Sequence, residues 1–93
     1  MDSLPENYAK EVEIINDLGL HARSAARIAG IAQQAESKVW LIKDGEEVDA
    51  QSVIDMLTLA CAKGARIIVK IESPSDLPIL NDIVTLVQDG FGE

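Results

Sequence analysis

Along this chain the spacing of apolar residues switches repeatedly between a period of two and one of 3.6, and that switching restricts the fold more than any single motif. "KEVEIIN" (10–16) alternates as a strand, with Val12 and Ile14 on one face. "HARSAARIAGIAQQAE" (21–36) places apolar residues 25, 28, 29, 32 and 35 in one helical stripe. "KVWLIK" (38–43) and "EEVDA" (46–50) read as strands joined through Asp44-Gly45, the strongest short hairpin signal. "SVIDMLTLACAK" (52–63) reads as a second helix, with Ser52 as N-cap, Asp55 at the third position as in a capping box, and Gly64 as the stop. "ARIIVKIE" (65–72) alternates Ile67, Val69 and Ile71 against Arg66, Ile68 and Lys70. "SDLPILNDIVTLVQDG" (75–90) reads as a third helix, capped by Ser75, with Asp76 at its positive end and Pro78 in the first turn.

The order is β-α-β-β-α-β-α, in a single domain over 10–93 behind a loose leader, 1–9. Helices covering one face of an amphipathic sheet give a two-layer α/β (α+β) architecture. A ferredoxin-like sandwich has nearly the same order, so periodicity alone leaves the strand sequence within the sheet open. With 93 residues and Tyr8, Trp40 and Phe91 as the only aromatics, the core must be Ile, Val, Leu and Ala.

A net charge of −8 opposes nucleic-acid binding, which needs a basic surface. The basic residues concentrate in 21–43, where Arg23, Arg27, Lys38 and Lys43 stand against Glu36 alone. That island begins at His21, the only histidine. Cys61 is the only cysteine; in an apolar helical run it reads as a small buried side chain in a reducing compartment. No run has the length of a membrane span and the N-terminus is unlike a signal peptide, so a cytoplasmic protein is expected. No heptad or long apolar edge demands self-association, so a monomer is expected.

"LGLHARS" (18–24) holds the chemistry. A loop through Gly19 delivers His21 to the N-terminus of a helix, where backbone N–H groups lack intrahelical partners and the dipole is positive. Such an end accepts anions, and its field favours the uncharged imidazole, which keeps a nucleophilic lone pair. Arg23, two residues on, can reach the same spot and neutralise a phosphate. The set suits transient phosphorylation of the imidazole. It does not suit hydrolysis, because no general base stands ready to activate water. One His and one Cys forty residues apart offer no metal cluster, and nothing calls for a cofactor. Residues and spacing alone leave a plain capping histidine as the alternative.

Two of these stretches together resemble the histidine-containing phosphocarrier (HPr) family of the bacterial phosphoenolpyruvate-dependent phosphotransferase system. "GLHAR" (19–23) is similar to its active-site motif, and "VDAQSVIDMLTLACAKG" (48–64) to its second signature. The likeness runs from about Lys10 to Glu93. It implies that His21 takes a phosphoryl group on Nδ1 from phospho-enzyme I and passes it to an acceptor protein, with Arg23 assisting. It implies that Ser52 falls on a serine that a dedicated kinase phosphorylates in many members. Val53, Ile54 and Leu57 fall on partner-docking positions of the second helix; Arg27, which extends the basic island, is a further docking candidate. The implied fold is an open-faced β-sandwich, an antiparallel sheet of order 1-4-2-3 with three helices on one face. Two positions depart from the pattern: Ser24 stands where the sugar branch has proline, and Asp55 where Gly or Lys is common. A small residue at 24 and an ending like "DGFGE" resemble nitrogen-related regulatory members.

Each assignment has a simpler counterpart. Ser52 serves as an N-cap without further role, and a phosphate there would act through charge at the docking surface rather than by melting the helix. Ser24 reads as a first-turn polar residue, Val53 and Ile54 as core, and Arg27 as a solvated face. The rival function is a regulatory binding module acting through the Ser52 helix.

Overall fold

The computed structural model describes residues 8–93. Residues 1–7 of the expected leader lie outside the described residues, and Ala9 already opens the first strand. The elements are β1 (Ala9–Glu13), α1 (Ala22–Ala32), β2 (Val39–Lys43), β3 (Glu46–Asp49), α2 (Val53–Leu57), β4 (Arg66–Ile71) and α3 (Leu77–Gln88). Short 3-10 turns at Pro74–Asp76 and Gly90–Gly92 flank α3. The sheet is antiparallel with order β1-β4-β2-β3. This is the open-faced sandwich with its three helices, and it settles the strand order that periodicity left open.

β4 is central, paired with β1 through Val12↔Ile67 and with β2 through Leu41↔Val69. Its alternation is realised as written, with Ile67, Val69 and Ile71 buried beneath the helices. The β2–β3 hairpin closes through Asp44 (φ 53°) and Gly45 (φ 83°), the two left-handed residues such a tight turn requires. The stripe of α1 buries Ala25, Ile28, Ala29 and Ala32. Small residues there allow α1 to approach α2 and α3 closely; α3 adds Leu80, Ile83, Val84 and Val87 and packs on β1 and β4.

α2 is five residues long and stops at Leu57, not at residue 63. Beyond it the bonds tighten to the i→i−3 pattern, Thr58 N–H to Asp55 O (3.1 Å) and Leu59 N–H to Met56 O (3.1 Å), and Ala60 turns left-handed at φ 52°. Gly64 therefore does not stop this helix, and Cys61 is buried in a loop rather than in a helical run. The left-handed Ala60 ends the helical path, and the Cys61 carbonyl beyond it accepts from Leu20 N–H (2.8 Å) in the loop before α1.

The start of α3 also differs. Ser73, not Ser75, caps the 3-10 turn, and Asp76 is the N-cap of α3, with Pro78 in its first turn. Asp76 is buried and looks away from its own helix. Its two carboxylate oxygens accept from the N–H groups of Glu36 (2.9 Å) and Ser37 (3.0 Å), tying the α1–β2 connection to α3.

Candidate functional site

After β1 the chain stays beside β4, with Ile14 N–H on Ala65 O (2.8 Å) and Ile14 O accepting from Gly64 N–H (2.7 Å). It then reverses: Gly19 N–H donates to Asn16 O (3.1 Å), and Asn16 Nδ2 donates to Gly19 O (2.9 Å). Gly19 is left-handed (φ +66°), and a Cβ on it would lie 2.5 Å from the Cys61 carbonyl oxygen. Only glycine allows this approach, and the approach brings Leu20 N–H onto Cys61 O. With Leu20 buried, the next residue stands at the entrance of α1.

His21 is the N-cap of α1, in extended backbone, and its N–H is held by the Ser24 side chain, the backward half of a capping box. Ser24 is fully buried; its Oγ accepts from His21 N–H (2.9 Å), and the hydroxyl lies 3.1 Å from His21 O and 3.3 Å from Gly19 O. The departure at residue 24 is thus a cap that orients the histidine backbone, in line with the simpler reading of Ser24.

The imidazole Nε2 lies 2.7 Å from Glu93 Oε2, with both side chains about a quarter exposed (26% and 21%). A carboxylate only accepts, so the hydrogen sits on Nε2 and the neutral ring keeps its lone pair on Nδ1. The other oxygen of Glu93 accepts from Asn16 Nδ2 (2.9 Å). Both partners of Nδ2 are acceptors, which determines the amide orientation and leaves Asn16 Oδ1 buried without a partner among the described residues. The Asn16 amide first, then the hydrogen bond from the His21 ring, with the Arg23 charge nearby, hold the Glu93 carboxyl below its ordinary value.

Arg23 and Arg27 lie one turn apart on the exposed side of α1. With Leu18, Phe91, Gly92 and Glu93 they line an open depression of about 420 Å³. Among the described residues the Arg23 guanidinium makes no hydrogen bond or ion pair. Arg27 is not simply a solvated side chain: its Nη1 donates to the Phe91 carbonyl.

α2 does not line this depression. Ser52 Oγ accepts from Asp55 N–H (3.1 Å), the forward half of the expected box. Val53 packs half-buried on the core, Ile54 is 76% exposed, and Leu57 is at the edge of exposure (37%). Sequence reasoning misses Asn16, Phe91 and Glu93, since nothing local joins residue 93 to residue 21. Among the described residues there is no metal-competent cluster of His, Cys, Asp and Glu, and no helix is long and apolar enough to cross a membrane.

A small α/β domain offering one oriented imidazole at a helix entrance, beside two guanidinium groups, has the equipment of a phosphoryl relay. The family model described as "PTS HPr component phosphorylation site" matches residues 8–89. The chain is 33% identical over 84 residues to the phosphocarrier protein HPr of Neisseria meningitidis serogroup A, spanning 90% of this chain and 94% of the relative. It is 40% identical over 83 residues to the phosphocarrier protein NPr of Escherichia coli K12, spanning 88% and 92%. The crystal structure of HPr from Thermoanaerobacter tengcongensis superposes with a TM-score of 0.85 at 30% identity, covering 91% of this chain and 96% of that one. The chain belongs to the HPr family of phosphocarrier proteins. Members relay phosphoryl groups stoichiometrically through a histidine and do not act as turnover enzymes.

Proposed function

We propose that His21 accepts a phosphoryl group on Nδ1 from phosphorylated enzyme I and passes it to an acceptor protein of a phosphotransferase system. The observation that carries this reading is the Nε2–Glu93 contact, which leaves the lone pair on Nδ1. That lone pair attacks phosphorus. A new N–P bond forms as the donor's bond to phosphorus breaks and its electron pair returns to the donor. The proton on Nε2 stays in place against Glu93, whose negative charge offsets the positive charge that N-phosphorylation puts on the ring. Arg23 neutralises the phosphoryl oxygens from the first turn of α1, and the unpaired N–H groups of that turn add donors. Reversal of these steps toward a second protein completes the relay.

Val53, Ile54 and Leu57 on α2, with Arg27 on α1, form the docking surface in this reading, and the exposure of Ile54 supports it. Ser52 is half-exposed beside them, so a kinase-added phosphate would place negative charge on that surface. The working form is a cytoplasmic monomer. Incubation with enzyme I and labelled phosphoenolpyruvate should give an acid-labile label that His21→Ala abolishes; equal labelling of that variant overturns the assignment. The regulatory alternative, acting through the Ser52 helix, requires an acid-stable, ATP-dependent label lost in Ser52→Ala, with none on His21.

A further inference from the structure

The three residues before Glu93 adopt a conformation that a chain does not take by default. Gly90 (φ 65°), Phe91 (φ 59°) and Gly92 (φ 74°) are all left-handed, and Phe91 bears the steric penalty of a Cβ there. This turn reverses the chain after α3 and returns Glu93 to the entrance of α1. Its inner side is anchored by the Phe91 ring, fully buried in the core.

Burial of the ring does not fix the residues beyond it. The direction in which the chain leaves Phe91 is set by the plane of the peptide joining it to Gly92, and the carbonyl oxygen of Phe91 marks that plane. Arg27 Nη1 donates to that oxygen. Gly92 lies against the same guanidinium, since a Cβ on it would sit 3.3 Å from Nη1. The Glu93–His21 contact is itself partly solvated, and such a pair is too weak alone to hold a chain end in one place.

We propose that Arg27 is a positioning residue for phosphoryl transfer: its bond to the Phe91 carbonyl orients the last turn so that Glu93 sits on His21 Nε2, which keeps the reactive lone pair on Nδ1. The proposal rests on the reading of His21 as phosphoryl acceptor. Asn16 holds the other oxygen of Glu93, so loss of Arg27 weakens the seat without abolishing it.

The test is the hydrogen distribution on the two ring nitrogens of His21, read by long-range nitrogen–proton NMR on the full chain at about pH 8.5, well above an ordinary imidazole. In Arg27→Met the ratio of Nε2–H to Nδ1–H ring forms falls roughly threefold, on the scale of losing a partly exposed charge-assisted bond. Glu93→Ala lowers it at least as far, and the double variant goes no further than Glu93→Ala. Gly92→Ala, which crowds Nη1 from the other side, shifts the ratio in the same direction. A ratio in Arg27→Met equal to that of the wild type, or additive losses in the double variant, overturns the proposal. Labelling from enzyme I runs in parallel. A wild-type chain that takes no acid-labile phosphate defeats the reading of His21, while the ring-nitrogen ratios still decide whether Arg27 seats Glu93.

Discussion

Replacing Gly19 by alanine tests whether the loop before α1 is built on a backbone approach that no side chain permits. The added Cβ would stand 2.5 Å from Cys61 O and 2.9 Å from Ala62 Cα, both backbone atoms that cannot swing aside. An L-residue at φ +66° costs about 1–2 kcal/mol by itself. Relief of the clash pushes the 60–62 loop away and sacrifices the Leu20–Cys61 hydrogen bond, about 1 kcal/mol more. The expected loss is about 2–3 kcal/mol, or on the order of 10–25 °C in Tm for a domain of this size. Two other glycines separate the contributions. Gly64 is left-handed at φ +94° with open space around its would-be Cβ, so Gly64→Ala isolates the conformational cost at about 1–2 kcal/mol. Gly30 lies inside α1 with nothing near its would-be Cβ, so Gly30→Ala should stabilise by about 0.5–1 kcal/mol. Urea unfolding followed by far-UV circular dichroism ranks the three. If Gly19→Ala costs no more than Gly64→Ala, the close approach to Cys61 is not a determinant of this loop and the reasoning fails.

Ser24→Ala removes the acceptor of His21 N–H and should cost about 1 kcal/mol, read from the urea midpoint, while slowing phosphoryl acceptance by loosening the histidine backbone. Asp76→Ala strips two backbone N–H groups of their acceptor at a buried site and should cost about 2–4 kcal/mol; Asp76→Asn, which keeps one acceptor oxygen, should recover part of it in the same assay. The Glu93 carboxyl is held below its ordinary value of 4.5, so its contribution to stability is present above that pH and is lost as pH falls through the lowered value. The stability difference between wild type and Glu93→Gln should therefore shrink as pH falls below 4.5; a difference that does not shrink on acidification contradicts the assigned contacts.

Most of the fold is legible in the sequence because its signals are local. The Asp44-Gly45 turn, the strict alternation of Ile67, Val69 and Ile71, and the Ala-rich stripe of α1 each depend on neighbours within a few residues, and each is realised in the structure. The sequence misleads where a distant group takes over a backbone atom. "TLACAK" consists of ordinary helix formers, which extends the pattern of α2 to residue 63; in the structure Ala60 turns left-handed instead, and the chain beyond it is held by distant groups, with Cys61 O accepting from Leu20 N–H and Gly64 N–H donating to Ile14 O. Ser75 reads as a cap because it precedes an acid and a proline, yet Asp76 takes the cap position and its side chain serves the α1–β2 connection instead. Neither competition is visible in a short window of sequence.

The site divides along the same line. Gly19, His21 and Arg23 are near neighbours, so their chemistry can be argued from spacing and sharpened by the family resemblance. The resemblance implies Nδ1 as the reacting nitrogen, but spacing does not show what orients the ring, because Glu93 arrives from 72 residues away on a left-handed turn. One signal is present: "DGFGE" pairs two glycines around the only phenylalanine and ends in an acid, in a chain whose basic island begins at His21. Glycines flanking a large apolar residue suggest a turn that tucks that residue inward, and an acid just beyond it is then carried toward whatever the turn faces. Arg27 completes that logic, since a second guanidinium one turn beyond Arg23 has no local partner and finds one in the Phe91 carbonyl. The histidine is thus prepared by two separate parts of the chain: the Gly19 loop sets where the ring stands, and the 90–93 turn sets which of its nitrogens is available.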